Sequence, residues 1–144
     1  MPTARDLIRA KPNQNIWSIS PDATVFEALQ LLAEKEIGAI LVMNAGKVEG
    51  ILSERDCVRK VDLAGKTARG IKVSEIMTRN VLYVEINQPL EEAMAIMTGK
   101  KVRHLPVYDR DELVGIISIG DVLKEIISDQ KFLIDQFSRY IRGG

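Results

Sequence analysis

The 144-residue chain holds one cysteine, Cys57, and one histidine, His104. A lone cysteine excludes an intrachain disulfide and suits a reducing compartment. Its plain reading is a small apolar residue packed on a helix. With so few cysteines and histidines there is no cluster at metal-ligand spacing and no Cys–His pair for nucleophilic catalysis. Gly-x-Gly-x-x-Gly and a phosphate-loop lysine are also missing. No catalytic or metal-ligating residue is assigned, and an enzyme is not expected. An excess of one charge is lacking too. Lys+Arg and Asp+Glu are both 20, so there is no broad electrostatic footprint for DNA, RNA or an anionic membrane. The longest apolar runs, such as Ile37 to Met43, fall far short of the ~20 residues of a membrane helix. The first ten residues contain no signal-peptide core. These absences lead to the expectation of a soluble, cytoplasmic protein with one compact domain, or two small ones sharing a core.

What is present is a repeat. Gly50-Ile51-Leu52-Ser53-Glu54-Arg55-Asp56 returns 65 residues on as Gly115-Ile116-Ile117-Ser118-Ile119-Gly120-Asp121. At that fixed offset Asn15 falls on Asn80, Glu27-Ala28 on Glu92-Ala93, Lys35 on Lys100 and Val42 on Val107. Apolar positions follow, Ile16 with Val81 and Leu32 with Met97 among them, and no gap is needed between 15–60 and 80–125.

Each copy reads β-α-β-β-α. Ile16 to Ile19 is a short strand closed by Pro21. Thr24-x-x-Glu27 has the form of a capping box, and Val25, Ala28, Leu29 and Leu32 share one face of the helix it opens. Gly38 is expected to end that helix. Ala39 to Met43 is a buried strand, Asn44 to Lys47 a hairpin turn, and Val48 to Leu52 the returning strand. A second helix runs from near Ser53 to about Leu63. The later copy gives a strand at 81–84, a helix from Pro89, strands at 104–108 and 113–117 around a turn at Asp109-Arg110-Asp111, and a helix from about Ser118. The expected fold class is α/β (α+β): two β-α-β-β-α units packed sheet to sheet with pseudo-twofold symmetry. Residues 1–64 form the first unit, 65–79 a linker with a short helix at Val73 to Met77, and 80–128 the second unit. Residues 129–144 form a separate amphipathic helix on Leu133, Phe137, Tyr140 and Ile141. That helix either packs on its own domain or makes a dimer contact.

The doubled Gly-apolar-apolar-Ser-x-x-Asp segment carries the chemistry. It lies where a strand turns into a helix, and N–H groups at a helix start attract anions. Glycine in the strand permits close approach of another backbone or a ligand. The Ser hydroxyl suits a phosphate, and an Asp three residues on suits a pair of ribose hydroxyls. The same Ser-x-x-Asp is also a variant capping box. Two copies in one structural context tilt the balance toward a ligand.

The repeat, the element order and the doubled motif resemble a tandem cystathionine-β-synthase (CBS) domain pair, or Bateman module. Glu75-Ile76-Met77-Thr78 and Arg103-His104-Leu105-Pro106-Val107 resemble stand-alone bacterial CBS-pair proteins in particular. The resemblance implies two clefts between the units that bind adenosine compounds: AMP, ADP, ATP, S-adenosylmethionine or NAD(H). It implies that Asp56 and Asp121 hold ribose and that Ser53 and Ser118 help at phosphate. Adenine would lie against Ile16, Trp17 and Ser18 with Gly38, Ala39 and Ile40 in one copy. In the other it would lie against Thr78, Asn80, Val81 and Leu82 with Arg103, His104, Leu105 and Pro106. The copies differ, with Arg55 opposite Gly120 and Gly38-Ala39 opposite Arg103-His104. An Arg beside a helix start suits a bidentate phosphate contact. The Asp56 cleft is therefore expected to gather more positive charge, from Arg55 with Arg103 and His104 reaching across. The resemblance further implies a homodimer and a regulatory role toward a separate protein target. The alternative is a structural dimerisation module with no ligand.

Overall fold

The computed structural model describes residues 1–10 and 15–141, the side chains of Tyr140 and Ile141 excepted. In chain order the elements are α1 (Ala4–Ala10), β1 (Ser18–Ile19), α2 (Val25–Lys35), β2 (Ala39–Asn44), β3 (Lys47–Ser53), α3 (Glu54–Cys57), α4 (Val73–Ile76), β4 (Val84–Glu85), α5 (Leu90–Lys100), β5 (His104–Asp109), β6 (Glu112–Ser118) and α6 (Ile119–Ile141). A π-helical turn, Val58–Asp62, continues α3, and a 3-10 turn spans Ala68–Gly70. The fold class is mixed α/β, with two three-stranded sheets ordered β1-β2-β3 and β4-β5-β6. Among the described residues no helix is long and apolar enough to cross a membrane.

Both sheets follow one plan. The short first strand runs parallel to the middle strand, and the third returns antiparallel by a hairpin. In the β2–β3 hairpin both turn residues have positive φ, Ala45 at 52° and Gly46 at 78°. That matches the twist of the flanking strands. The strand expected at 81–84 forms one residue later in the repeat than its counterpart, and both are two residues long. β1 pairs with β2 at Ser18↔Leu41 and Ile19↔Val42, whereas β4 begins with Val84↔Val107. Pro106 stands where the first copy has Leu41 and has no N–H to donate to the ladder. Tyr83, at the place of Ser18, is consequently outside the sheet.

The Thr24 capping box forms as the spacing predicts, with the Glu27 N–H donating to Thr24 Oγ1 at 3.1 Å and the Thr24 N–H to Glu27 Oε2 at 3.3 Å. α2 stops before Gly38, because Glu36 itself turns left-handed at φ 53°. Lys101 does the same after α5 at φ 57°. Pro89 is the N-cap of α5 and Leu90 its first helical residue.

The expected separate helix at 129–144 is not separate. α6 runs unbroken from Ile119 to Ile141, while residues 142–144 lie outside the described residues. Ser128-Asp129-Gln130 contains no helix breaker. In the first copy, Gly65 occupies the place of Gln130. It takes φ 72° and the helix path has already ended there.

Contacts divide the chain into Trp17–Val81 on one side and the described residues of Met1–Ile16 and Leu82–Gly144 on the other. The expected first unit, 1–64, had kept the N-terminal residues with β1–β3. Instead they complete the unit of β4–β6. The Ala4 N–H donates to the Gln88 carbonyl (3.0 Å), that of Arg5 to Ile86 (2.8 Å) and that of Leu90 to Pro2 (3.0 Å). Residues of the expected linker do the same for the other unit. The Val73 N–H donates to Ala23 (2.8 Å), that of Ser74 to Pro21 (3.0 Å) and that of Val25 to Ile71 (2.9 Å). Side chains follow the backbone. Ala4 and Leu7 enter the core of Val84, Leu90, Met97, Leu105, Val107 and Ile117. Val73, Ile76 and Met77 enter the core of Val25, Leu32, Ile40, Val42 and Leu52.

The docking explains the two motif glycines. A Cβ on Gly50 would stand 2.7 Å from Met77 Sδ and 2.9 Å from the Thr78 carbonyl oxygen, and one on Gly115 would collide with Ile8. Each glycine clears the seat of a docked segment.

Leu7→Ala is expected to cost about 2–5 kcal/mol as a large-to-small core change. Hydrogen exchange should rise in β5, β6 and α5 and stay unchanged in β2 and β3. Faster exchange over residues 39–53 instead would contradict the placement.

Candidate functional site

At the first strand-to-helix junction Ser53 is the N-cap of α3, with φ −107° and ψ 160°. The Asp56 N–H donates to Ser53 Oγ at 3.1 Å. Asp56 Oδ2 accepts from the Ser53 N–H at 3.2 Å and from the Ser53 hydroxyl at 2.9 Å. The other oxygen, Oδ1, lies 3.6 Å from Lys60 Nζ, and that ammonium donates to the Ile76 carbonyl at 2.9 Å. The junction is closed by the Glu54 N–H donating to the Gly38 carbonyl at 3.0 Å.

The second junction repeats the design. The Asp121 N–H donates to Ser118 Oγ at 3.1 Å, and the Ser118 N–H to Asp121 Oδ2 at 3.3 Å. The Ile119 N–H closes it on the Arg103 carbonyl at 2.8 Å. Both Ser-x-x-Asp segments are thus capping boxes, and a cap of this kind stabilises a helix start by about 1 kcal/mol.

The other expected residues separate by exposure. Ile40, Leu105 and Pro106 are buried, as is Ala39. Their side chains belong to the interior, which leaves the backbone as the route to any ligand. Ser18, Gly38, Arg55, Asn80, Leu82 and Arg103 are exposed, while Ile16, Trp17, Ser53, Asp56, Thr78, Val81, His104, Ser118 and Asp121 are half-buried. Lys35 Nζ sits 4.2 Å above the Trp17 ring, a cation–π contact on one face of the indole. Thr78, Asn80 and Val81, expected beside the second copy's Asp121, fall in the contact unit of Asp56. There the Thr78 N–H donates to the Ile51 carbonyl at 2.9 Å and the Ile51 N–H returns to Thr78 at 3.0 Å. Leu82, Arg103, His104, Leu105 and Pro106 fall in the unit of Asp121.

Lys60 escaped the sequence reading, although Asp-x-x-x-Lys at helical spacing is a legible ion pair. It ties Asp56 to the docked segment through Ile76. The second copy has Glu125 at that place, so the two aspartates meet opposite charges one helical turn on.

Cys57 lies in the core between these groups. Burial, then the charges of Asp56 and Glu54, push its thiol from 9.0 up to about 11. The native thiol holds its proton where an unfolded one loses it. Its contribution to stability is therefore full below about pH 9 and is lost as pH rises toward 11. At pH 8 alkylation by iodoacetamide should be roughly a hundredfold slower in the native protein than in urea. Equal rates would show an accessible thiol.

A family model for the CBS domain matches residues 4–63 and 73–128. The chain belongs to the CBS domain family. Each match takes in one copy of the repeat and the short segment before it in sequence, which docks on the other copy. Among curated relatives, the mitochondrial CBS domain-containing protein CBSX3 of Arabidopsis thaliana is 30% identical over 90% of this chain. The chain spans 65% of the length of CBSX3. Among solved structures, a protein with CBS domains from Burkholderia ambifaria MC40-6 overlays with a TM-score of 0.86 at 44% identity, covering 90% of this chain and 96% of the other. CBSX2 in complex with AMP overlays with a TM-score of 0.73 at 27% identity, covering 88% and 97%.

Proposed function

We propose that this CBS pair is a non-catalytic regulatory module of signal transduction that binds an adenine nucleotide at its strand-to-helix junctions. One observation carries the reading: a Ser and an Asp are held in the same hydrogen-bonded geometry at the start of both helices, and a relative of the same fold is an AMP complex. The Burkholderia relative is described as a candidate signal-transduction protein, in keeping with a sensor that acts on a separate target.

In this reading Asp56 and Asp121 receive the ribose hydroxyls. The cap occupies Oδ2 of Asp56, and a carboxylate offers two oxygens with about four lone-pair sites. A ribose hydroxyl reaches Oδ1 by displacing the partly exposed Lys60. Ser53 and Ser118 stand at the phosphate end, with exposed Arg55 beside the first. Backbone groups of Gly38, Ala39 and Ile40, and of Leu105 and Pro106, read the adenine edge. AMP is the first choice of ligand. ADP, ATP, NAD(H) and S-adenosylmethionine share the adenosine moiety the site would grip. The expected homodimer and cytoplasmic location belong to the same proposal.

The capping geometry favours a second reading, a structural module that holds no ligand, because the Ser and Asp groups already serve the fold. Thermal unfolding separates the two. A ligand at a hundred times its Kd adds about 2.7 kcal/mol to stability. AMP, ATP, NADH and S-adenosylmethionine should be titrated in turn, and no shift with any of them leaves only the structural reading. By calorimetry, Asp56→Ala and Asp121→Ala should each remove one site and spare the other. Unchanged binding in both variants would refute the ribose assignment.

A further inference from the structure

At the first junction one side chain touches both the carboxylate proposed to hold ribose and the segment that closes the core. Lys60 Nζ lies 3.6 Å from Asp56 Oδ1 and donates to the Ile76 carbonyl at 2.9 Å. Ile76 ends α4, a helix of four residues. A helix that short does not hold itself in water and depends on what it touches. Its last carbonyls have no N–H of their own helix to accept from. Buried Val73, Ile76 and Met77 anchor the segment by their side chains, and Thr78 pairs with Ile51 at its end. The Lys60 ammonium supplies the donor for Ile76, and hydrogen bonds from a charged donor are among the stronger ones.

Lys60 also sits in a stretch where the two copies differ in helix type. Val58–Asp62 is a π-helical turn, closed by the Leu63 N–H on the Val58 carbonyl at 2.9 Å. At the repeat offset of 65, Leu123–Ile127 is plain α-helix within α6, with Glu125 at the place of Lys60. One fold position thus takes two helical forms. π turns are rare and recur at functional sites. The copy with the wide turn is the copy whose lysine reaches out of its helix to a docked segment.

We infer that Lys60 is a latch: a ligand that takes Oδ1 of Asp56 loosens the seat of Val73–Thr78. This regulation rests on the ribose assignment proposed for Asp56. With Oδ1 open, the carboxylate steers the ammonium onto the Ile76 carbonyl. With Oδ1 taken by a ribose hydroxyl, Lys60 loses its counter-charge. A lysine side chain that is 44% exposed then holds one carbonyl against water and against its own rotamer freedom. The Ile76 carbonyl loosens first, and the pairing of Thr78 with Ile51 follows. Thr78 leads through Arg79 and Asn80 to Val81, where the contact unit of Asp56 ends. The ligand state of Asp56 thus reaches the stretch of chain that joins the two units.

Hydrogen exchange and calorimetry on the full chain, with AMP as the probe, test the latch. Without ligand, Lys60→Met should speed exchange at the Met77 and Thr78 amides about fivefold and leave the Ala4 and Arg5 amides, in the other seat, unchanged. Saturating AMP should speed the same two amides in the wild type by a similar factor, although a bound ligand ordinarily slows exchange. In Lys60→Met, AMP should leave them as they are. Because coupling is reciprocal, Lys60→Met should also bind AMP about fivefold more tightly, although it has lost a cation beside an anion. Lys60→Arg, which keeps donors for Ile76, should restore the wild-type response. Weaker AMP binding by Lys60→Met makes Lys60 a phosphate contact and overturns the latch. AMP binding with unchanged exchange at Met77 and Thr78 overturns the latch alone and leaves the nucleotide reading standing. No heat of AMP binding in either protein sinks the reading on which the latch rests, and the latch with it.

Discussion

The seating of a short segment against the turn that precedes a helix is the interaction on which the rest of this structure depends. A three-stranded sheet with two helices exposes too much of its core to stand alone. Val73, Ile76 and Met77 close one core, and Ala4, Leu7 and Ile8 close or line the other. In each unit the segment donates two N–H groups to the turn and accepts one from the first helical turn. The glycines of the repeated motif, Gly50 and Gly115, are the surfaces left bare for these segments. The motif that reads as a ligand site is thus first a docking site for the chain itself.

That double duty extends to the Ser and Asp. Each pair builds a helix start, and each is proposed to meet a nucleotide. The cap fixes the rotamers and engages Oδ2 of each aspartate, while Oδ1 of Asp56 faces Lys60. A site whose side chains are already locked loses little conformational freedom on binding. Lys60 gives the first junction a tie to the docked segment through Ile76.

The sequence disclosed the repeat, the element order and the paired junctions, because all three keep one offset from residue 15 onward. It hid the docking segments for a definite reason. Residues 2–8 correspond to 71–77 at a spacing four residues longer, so a fixed offset passes over them. Their kinship rests only on small or apolar positions, Ala4 with Val73, Leu7 with Ile76 and Ile8 with Met77. Pro106 was legible as a strand residue, but its effect on β4 needed the ladder. The long α6 was cut at 129 because the repeat stops there, although nothing in Ser128-Asp129-Gln130 stops a helix. At the candidate site, Ile40 and Leu105 were read by position. Only the packing shows that their side chains turn inward.

The placement of the N-terminal segment has a consequence for biosynthesis. Arg5 is 82 residues from Asn87, its partner across the seat. On a ribosome, Trp17–Val81 contains its own docking segment and can close as soon as it emerges. Residues 2–8 are made before that unit but must wait for β4 to β6 before Leu7 is covered. Trp17–Val81 can therefore close before the unit that residues 2–8 complete. A chaperone that holds Leu7 and Ile8 during that interval protects the slower unit.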